Sequence, residues 1–157
     1  MVALTADRLH SKALPDLVTK LLSARQRSLV LYHKLALLKS TTRFEVGQRY
    51  LLQRFQQALV DYLALGPFEV FQTLEEQPVD SPYRRAREVG QQLYARIART
   101  TQAALIFHDR YDGELSQGKL GALSADLSRL GEQLAVRIEL EDQIVAAVRQ
   151  SDARLAA

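Results

Sequence analysis

The chain reads as all-α: an antiparallel four-helix bundle with a short extra helix after the second long helix. Three observations predict this. Apolar residues recur at three- and four-residue spacing along almost the whole sequence, the period of one helix face. No stretch alternates with period two for long enough to form a strand. The breaks between apolar runs are short, and long helices with short connections pack most simply as antiparallel neighbours.

The elements follow in order. Pro15, followed by Asp16, suits a helix start, because proline is tolerated in the first turn. Leu17, Val18, Leu21, Leu22, Leu29, Tyr32, Leu35 and Ala36 then mark an amphipathic helix to about Leu38, and Lys39-Ser40-Thr41-Thr42 reads as a loop. A second stripe, Leu51, Leu52, Phe55, Ala58, Leu59, Tyr62 and Leu63, is expected to stop at Gly66-Pro67. Phe68, Val70, Phe71 and Leu74 form the short extra helix, on a changed axis. Pro78 to Pro82 is the next break, with Ser81 as the expected cap. The third long helix carries Ala86, Val89, Leu93, Ile97, Ala104, Leu105 and Tyr111 and stops at Asp112-Gly113. The last repeats Leu120, Leu123, Leu127, Leu130, Leu134, Ile138, Val145 and Val148, close to a 3.5-residue seam. The expected unit is one helical-bundle domain over residues 1–157, with a short N-terminal helix within 1–14.

Composition narrows the function. With 157 residues, 47% hydrophobic and 25% charged, the chain has the balance of a globular domain, not of a disordered or low-complexity one. The absence of cysteine excludes thiolate zinc sites, iron–sulfur clusters, cysteine nucleophiles and disulfides. None of His10, His33 and His108 has a glutamate three residues before it, so the Glu-x-x-His pairs of a di-metal bundle are missing. Glycine-rich phosphate loops, nucleophile elbows and paired zinc histidines are missing too. The expectation is a non-enzyme with no cofactor and no metal. Asp7, Arg8, His10 and Lys12 interrupt any apolar leader, and apolar runs such as Leu35 to Leu38 fall far short of the ~20 residues of a membrane span. A cytoplasmic protein without membrane contact is expected.

Net charge is +3, unevenly spread: residues 1–110 hold 16 Lys/Arg against 10 Asp/Glu, and residues 111–157 hold 5 against 8. A basic half can meet an anionic partner, although arginines dispersed on helices are more often solvated surface. Four polar features invite a closer reading. His108 and Asp112 share a helix face, but His108 continues an apolar stripe and reads as a hydrogen-bonded core histidine. Arg137 and Glu141 lie four apart within the apolar arc of the last helix and read as an ion pair, intrahelical or cross-helix, at the bundle edge. Between Leu59 and Phe71 the apolar groups exceed one helix face, so this block is either core beneath the short helix or an exposed patch; the residues alone favour neither. Arg84, Arg85 and Arg87, with Arg25 and Arg27, are the candidate track of an alternative function, a small helical nucleic-acid binder with strongly salt-dependent affinity.

The block also carries a resemblance. Leu59-Val60-Asp61-Tyr62-Leu63, Gly66 and Phe68-Glu69-Val70-Phe71 resemble the L-V-D-Y-x-x-x-G-x-F-x-[VI]-[YF] pattern of the Rsd/AlgQ family, bacterial regulators of the housekeeping sigma factor. Leu17-Val18 through Arg25 to Leu29-Val30 and Tyr32 is similar to that family's first helix, Phe107 to Asp112 to its third-helix end, and Leu130-Gly131-Glu132 through Arg137 to Leu140-Glu141-Asp142 to its closing motif. The likeness departs at Leu21, where the family has tryptophan, at Pro67, where histidine is usual, and at Ile138, where phenylalanine stands. It implies a non-catalytic four-helix bundle that sequesters the housekeeping sigma factor through its promoter-reading C-terminal domain, with other regulatory proteins as further partners and nucleic acid the less favoured one. It implies partner-binding residues Asp61, Tyr62, Leu65, Phe68, Glu69 and Phe71, with Asp61 pairing a basic sigma residue and Phe68 anchoring in an apolar groove.

Overall fold

A computed structural model describes the backbone of residues 2–38 and 46–156, and the side chains of 13–38, 47–66 and 69–156. The described residues are helical apart from short connections and contain no strand. Four long helices carry the fold: α1 (Val2–Leu38), α2 (Val46–Leu65), α4 (Arg84–Tyr111) and α5 (Gln117–Ala156). Between α2 and α4 lie a wide helical turn, Gly66–Val70, and the short α3, Phe71–Glu75.

Each long helix owes its place to a seam of buried residues that alternates by four and three. On α5 the seam runs Leu123, Leu127, Leu130, Leu134, Arg137, Glu141, Ile144, Val148 and Ser151, and on α4 it passes through Ala86, Gly90, Ile97, Thr100, Ala104, Phe107 and Tyr111. Leu52, Phe55, Leu59 and Tyr62 supply it on α2, and Leu14, Val18, Leu21, Leu31 and Leu35 on α1. A seam of this period keeps facing its neighbours over many turns, as in coiled coils. Fully burying one such leucine contributes roughly 1.5–3 kcal/mol relative to leaving it in water.

Two boundaries differ from the sequence reading. Pro15 does not start a helix: α1 runs through it from Val2, so residues 2–14 continue the first helix rather than forming a separate one. Leu14 and Val18, on either side of Pro15, are both buried, and their packing outweighs the local penalty of an interior proline. At Gly66-Pro67 α2 does end, at Leu65, but the chain does not leave helical geometry there. Gly66 has no positive φ, and the chain continues through a turn in which the Phe71 N–H bonds the Gly66 carbonyl, five residues back. Proline has no N–H to offer an α-helical ladder, and widening the turn is one way to pass it. Val70, Phe71 and Leu74 are buried just beyond, so the extra helix extends the second.

At the start of α4 the cap position falls on Tyr83, not on Ser81, and the helix begins at Arg84; the Ser81 hydroxyl oxygen accepts the Tyr83 N–H at 3.1 Å in the turn before it. The close of α4 at Asp112-Gly113 agrees with the sequence, and Gly113 takes φ +85°. Ser116 opens α5 by accepting the Lys119 N–H at 3.2 Å.

The closest packing is of α1 on α2 and of α4 on α5. Ser28 reaches the Ala58 carbonyl while Gln48 reaches that of Leu38, so α1 and α2 run in opposite directions. Tyr83 meets Asp152, Thr101 meets Arg137 and Tyr111 meets Asp126, so α4 and α5 do the same.

Candidate functional site

Charges placed in a buried seam need partners from other helices, and here all four long helices supply them. Arg137 is fully buried and Glu141 is 2% exposed. The Arg137 Nε donates to Glu141 Oε2 at 3.0 Å, and its Nη1 donates to the hydroxyls of Thr100 (3.2 Å) and Thr101 (2.6 Å) on α4. From α2 the Tyr62 hydroxyl donates to Glu141 Oε1 at 2.5 Å, and the Tyr62 ring lies 5.2 Å beneath the Arg137 guanidinium carbon. From α1 the Arg25 Nη1 reaches Glu141 Oε1 at 3.4 Å and Asp142 Oδ1 at 2.8 Å, carrying the network to the surface. Every group that faces Glu141 is a donor, which suits a carboxylate that only accepts. Two arginines face two carboxylates, so the layer is electrically balanced. The pair is therefore interior, not at the bundle edge, and it ties the four helices together.

Burial, together with the charge and hydrogen bond of Glu141, raises the Tyr62 hydroxyl well above its ordinary range and keeps it a proton donor. Arg137 Nη2 has no hydrogen-bond partner among the described residues. It lies against Gly66: a Cβ there would sit 3.0 Å from this nitrogen. The sequence reading missed Thr100, Thr101, Arg25 and Gly66 as members of this layer. A signal existed in the unbroken spacing Leu134, Arg137, Glu141, Ile144, which places both charges on seam positions.

The block 59–71 adjoins this layer and supplies Tyr62 and Gly66 to it. Asp61 is exposed, with Gln57 donating to its Oδ1 at 3.3 Å, and Glu69 is exposed as well. Val60 and Ala64 stand exposed on the same stretch of α2, and Leu65 is half-buried. Tyr62 is 1% exposed and Phe71 7%, the latter set edge-on to Tyr94 at 5.7 Å between ring centres. Neither presents appreciable surface to a partner. The side chain of Phe68 lies outside the described residues. The block is thus split: its aromatic members Tyr62 and Phe71 are core, and its acidic members Asp61 and Glu69 are surface.

The other features fall elsewhere. His108 is partly buried and stands 3.5 Å from Asp109 instead of pairing with Asp112. Arg84 and Arg85 share Glu88 at 3.3 and 3.8 Å, Arg87 lies 4.0 Å from Glu75, and Arg25 is committed to α5. Four of the five arginines of the proposed nucleic-acid track are therefore paired within the chain. Among the described residues no helix is long and apolar enough to cross a membrane.

Comparison with known proteins agrees with the resemblance. The family described as "Regulator of RNA polymerase sigma(70) subunit, Rsd/AlgQ" matches residues 6–149. The chain is similar to the regulator of sigma D of Yersinia enterocolitica, 32% identical over 95 residues, which are 60% of this chain and 56% of that protein. It is similar to the regulator of sigma D of an Enterobacter species, 30% identical over 134 residues, covering 83% of this chain and 78% of the relative. The match thus spans little more than half the length of the Yersinia relative. No solved structure matches the chain significantly. With nearly its whole length matched, the chain belongs to the Rsd/AlgQ family of regulators of the RNA polymerase sigma(70) subunit.

Proposed function

We propose that this protein is a cytoplasmic, non-catalytic anti-sigma factor. It binds the housekeeping sigma factor of RNA polymerase through that factor's promoter-reading C-terminal domain and lowers its use in transcription. The platform is one domain, an antiparallel four-helix bundle extended by the turn and α3. The contact surface is centred on Asp61 and Glu69, with Leu65 and Phe68 as its apolar part and Tyr62 and Phe71 supporting it from within. One observation carries the assignment of the surface: in the block that resembles the family pattern, the carboxylates are turned outward beside exposed Val60 and Ala64. A DNA-reading domain is expected to be basic on its binding face, and an acidic patch rimmed by small apolar groups is complementary to such a face.

The test is titration calorimetry of the full chain against the isolated C-terminal domain of the housekeeping sigma factor. Saturable binding is expected. Asp61→Ala should weaken it about tenfold or more, the loss of a charge-assisted hydrogen bond of ~1.5–3 kcal/mol. Phe68→Ala should cost at least ~2 kcal/mol if this residue anchors the complex. Absence of binding, or parent affinity in an Asp61→Ala/Glu69→Ala chain, would contradict the assignment.

A further inference from the structure

We infer that Arg137 is a positioning residue for partner binding: from inside the protein it sets the wide turn Gly66–Val70, and through it the placement of Asp61, Leu65 and Glu69 on the surface. This deepens the sigma-binding reading above and rests on it.

The starting point is an anomaly of placement. Arg137 occupies a seam position that an apolar side chain would fill, and it is fully buried. Stability does not demand a charge there, since well-packed apolar residues often replace buried ion pairs without loss. What the guanidinium touches gives it a second role. Its Nε and Nη1 are fixed by Glu141, Thr100 and Thr101, so its orientation is determined by α5 and α4. The remaining nitrogen, Nη2, is the unpartnered one, and it stands against Gly66.

Gly66 is where the α-helical ladder of α2 gives way. Its carbonyl receives the Phe71 N–H in the wide register, and Pro67 follows it with no N–H of its own. Insertions of this kind inside helices occur frequently at functional sites. One turn earlier the same guanidinium covers the ring of Tyr62. The group thus contacts the block at two successive turns, between exposed Asp61 on one side and exposed Glu69 on the other. Shape does the coupling: a Cβ at position 66 would press on Nη2 at 3.0 Å, so one of the two must give by a few tenths of an ångström, and the guanidinium is held from behind by Glu141, Thr100 and Thr101. Moving either partner is expected to rotate the acidic residues relative to each other.

Two substitutions probe this from opposite sides. Arg137→Met removes the guanidinium, and Gly66→Ala presses on it from the turn while leaving the ion pair in place. Leu127→Ala, far from the block in the α5 seam, serves as a control of comparable or greater destabilisation. Each full-length chain is examined under conditions where it is folded, by hydrogen exchange of the amides of Gly66 and Phe68 to Phe71, and by titration with the sigma C-terminal domain. Exchange should accelerate at those amides selectively in Arg137→Met and Gly66→Ala, with affinity falling more than tenfold, while Leu127→Ala keeps near-parent affinity. If Arg137→Met does not fold, Gly66→Ala alone decides. Exchange that rises evenly over all helices, or affinity no lower than in the control, would overturn the inference. If the unsubstituted chain fails to bind sigma, the functional reading falls, and the exchange data still decide whether Arg137 sets the turn.

Discussion

Two levels of the molecule draw on all four long helices and are built from opposite materials. At one, Tyr32 of α1 lies 5.9 Å from Phe55 of α2, Phe55 lies 6.1 Å from Phe107 of α4, and Phe107 lies 4.8 Å from Tyr111. The polar groups on its rings and on the buried Gln56 are uncharged: the Tyr32 hydroxyl donates to the Leu127 carbonyl at 2.7 Å, that of Tyr111 to Asp126 at 2.6 Å, and the Gln56 amide to the His108 carbonyl at 2.9 Å. Even the backbone is tailored to it: a side chain at Gly131 would collide with the Tyr32 hydroxyl. At the other level, Arg25, Tyr62, Thr100, Thr101, Arg137 and Glu141 put charge at the centre and leave one guanidinium nitrogen without a hydrogen-bond partner among the described residues. The first level is what hydrophobic burial alone would select. The second has to recover a desolvation penalty before it contributes anything, so its presence beneath the block 59–71 points to a task other than holding the helices together.

The largest expected effects would expose that difference. Glu141→Ala leaves the Arg137 charge buried with its main partner gone and should destabilise by ~3–5 kcal/mol, read from urea midpoints. Phe55→Ala at the aromatic level should cost a similar ~3–5 kcal/mol through its cavity. The levels part company on repair. Replacing the polar pair together, as Arg137→Met with Glu141→Leu, should recover most of the loss, whereas no neighbouring change restores the Phe55 cavity.

A smaller effect comes from the hydroxyl of Tyr62. Tyr62→Phe removes a hydrogen bond to a charged acceptor and should cost ~1.5–3 kcal/mol at neutral pH. The cost should shrink in alkali. Tyrosine in the unfolded chain loses its proton near pH ~10, while burial and Glu141 keep the folded Tyr62 protonated well above that. Above pH ~10 the unfolded state therefore binds fewer protons than the folded one, and parent stability falls by up to ~1.4 kcal/mol per pH unit from this group. The phenylalanine variant lacks that term, so the gap between the two chains should narrow from pH ~9 to pH ~11. A gap independent of pH would mean that Tyr62 titrates normally.

The smallest effect belongs to the rim of the aromatic level. Arg129 is largely exposed and pairs with Asp126 at 3.1 Å. Arg129→Ala should change stability by less than ~1 kcal/mol, and less still in high salt.

The two levels also differ in how far the sequence reveals them. Leu52, Phe55 and Leu59 on α2, and Leu123 to Leu134 on α5, repeat at helix spacing and are buried as that spacing requires. Their neighbours hardly matter to the reading, because apolar contact is not directional. Pro15 is misleading as a helix start, and Gly66-Pro67 marks the end of α2 but not the wide turn that follows, because glycine and proline report local preference while the burial of Leu14, Val70 and Phe71 decides how the chain continues. The charged layer was legible only as a pair on one helix. Interior burial of Arg137 and Glu141 depends on Tyr62, Thr100, Thr101 and Arg25, which are remote in sequence and carry no shared spacing with them. Of the surface residues, the outward placement of Asp61 follows from charge, whereas Tyr62, one position on, turns inward to meet a carboxylate that the local sequence does not show.

The chain in which Arg137→Met and Glu141→Leu are combined tests the central claim most directly, by titration against the C-terminal domain of the housekeeping sigma factor. The expected result is a folded protein whose urea-derived stability lies within ~1–2 kcal/mol of the parent or above it, and whose sigma affinity is nonetheless reduced more than tenfold. Parent-like affinity in that repacked chain would contradict it, and would mean that the buried charges serve the fold alone.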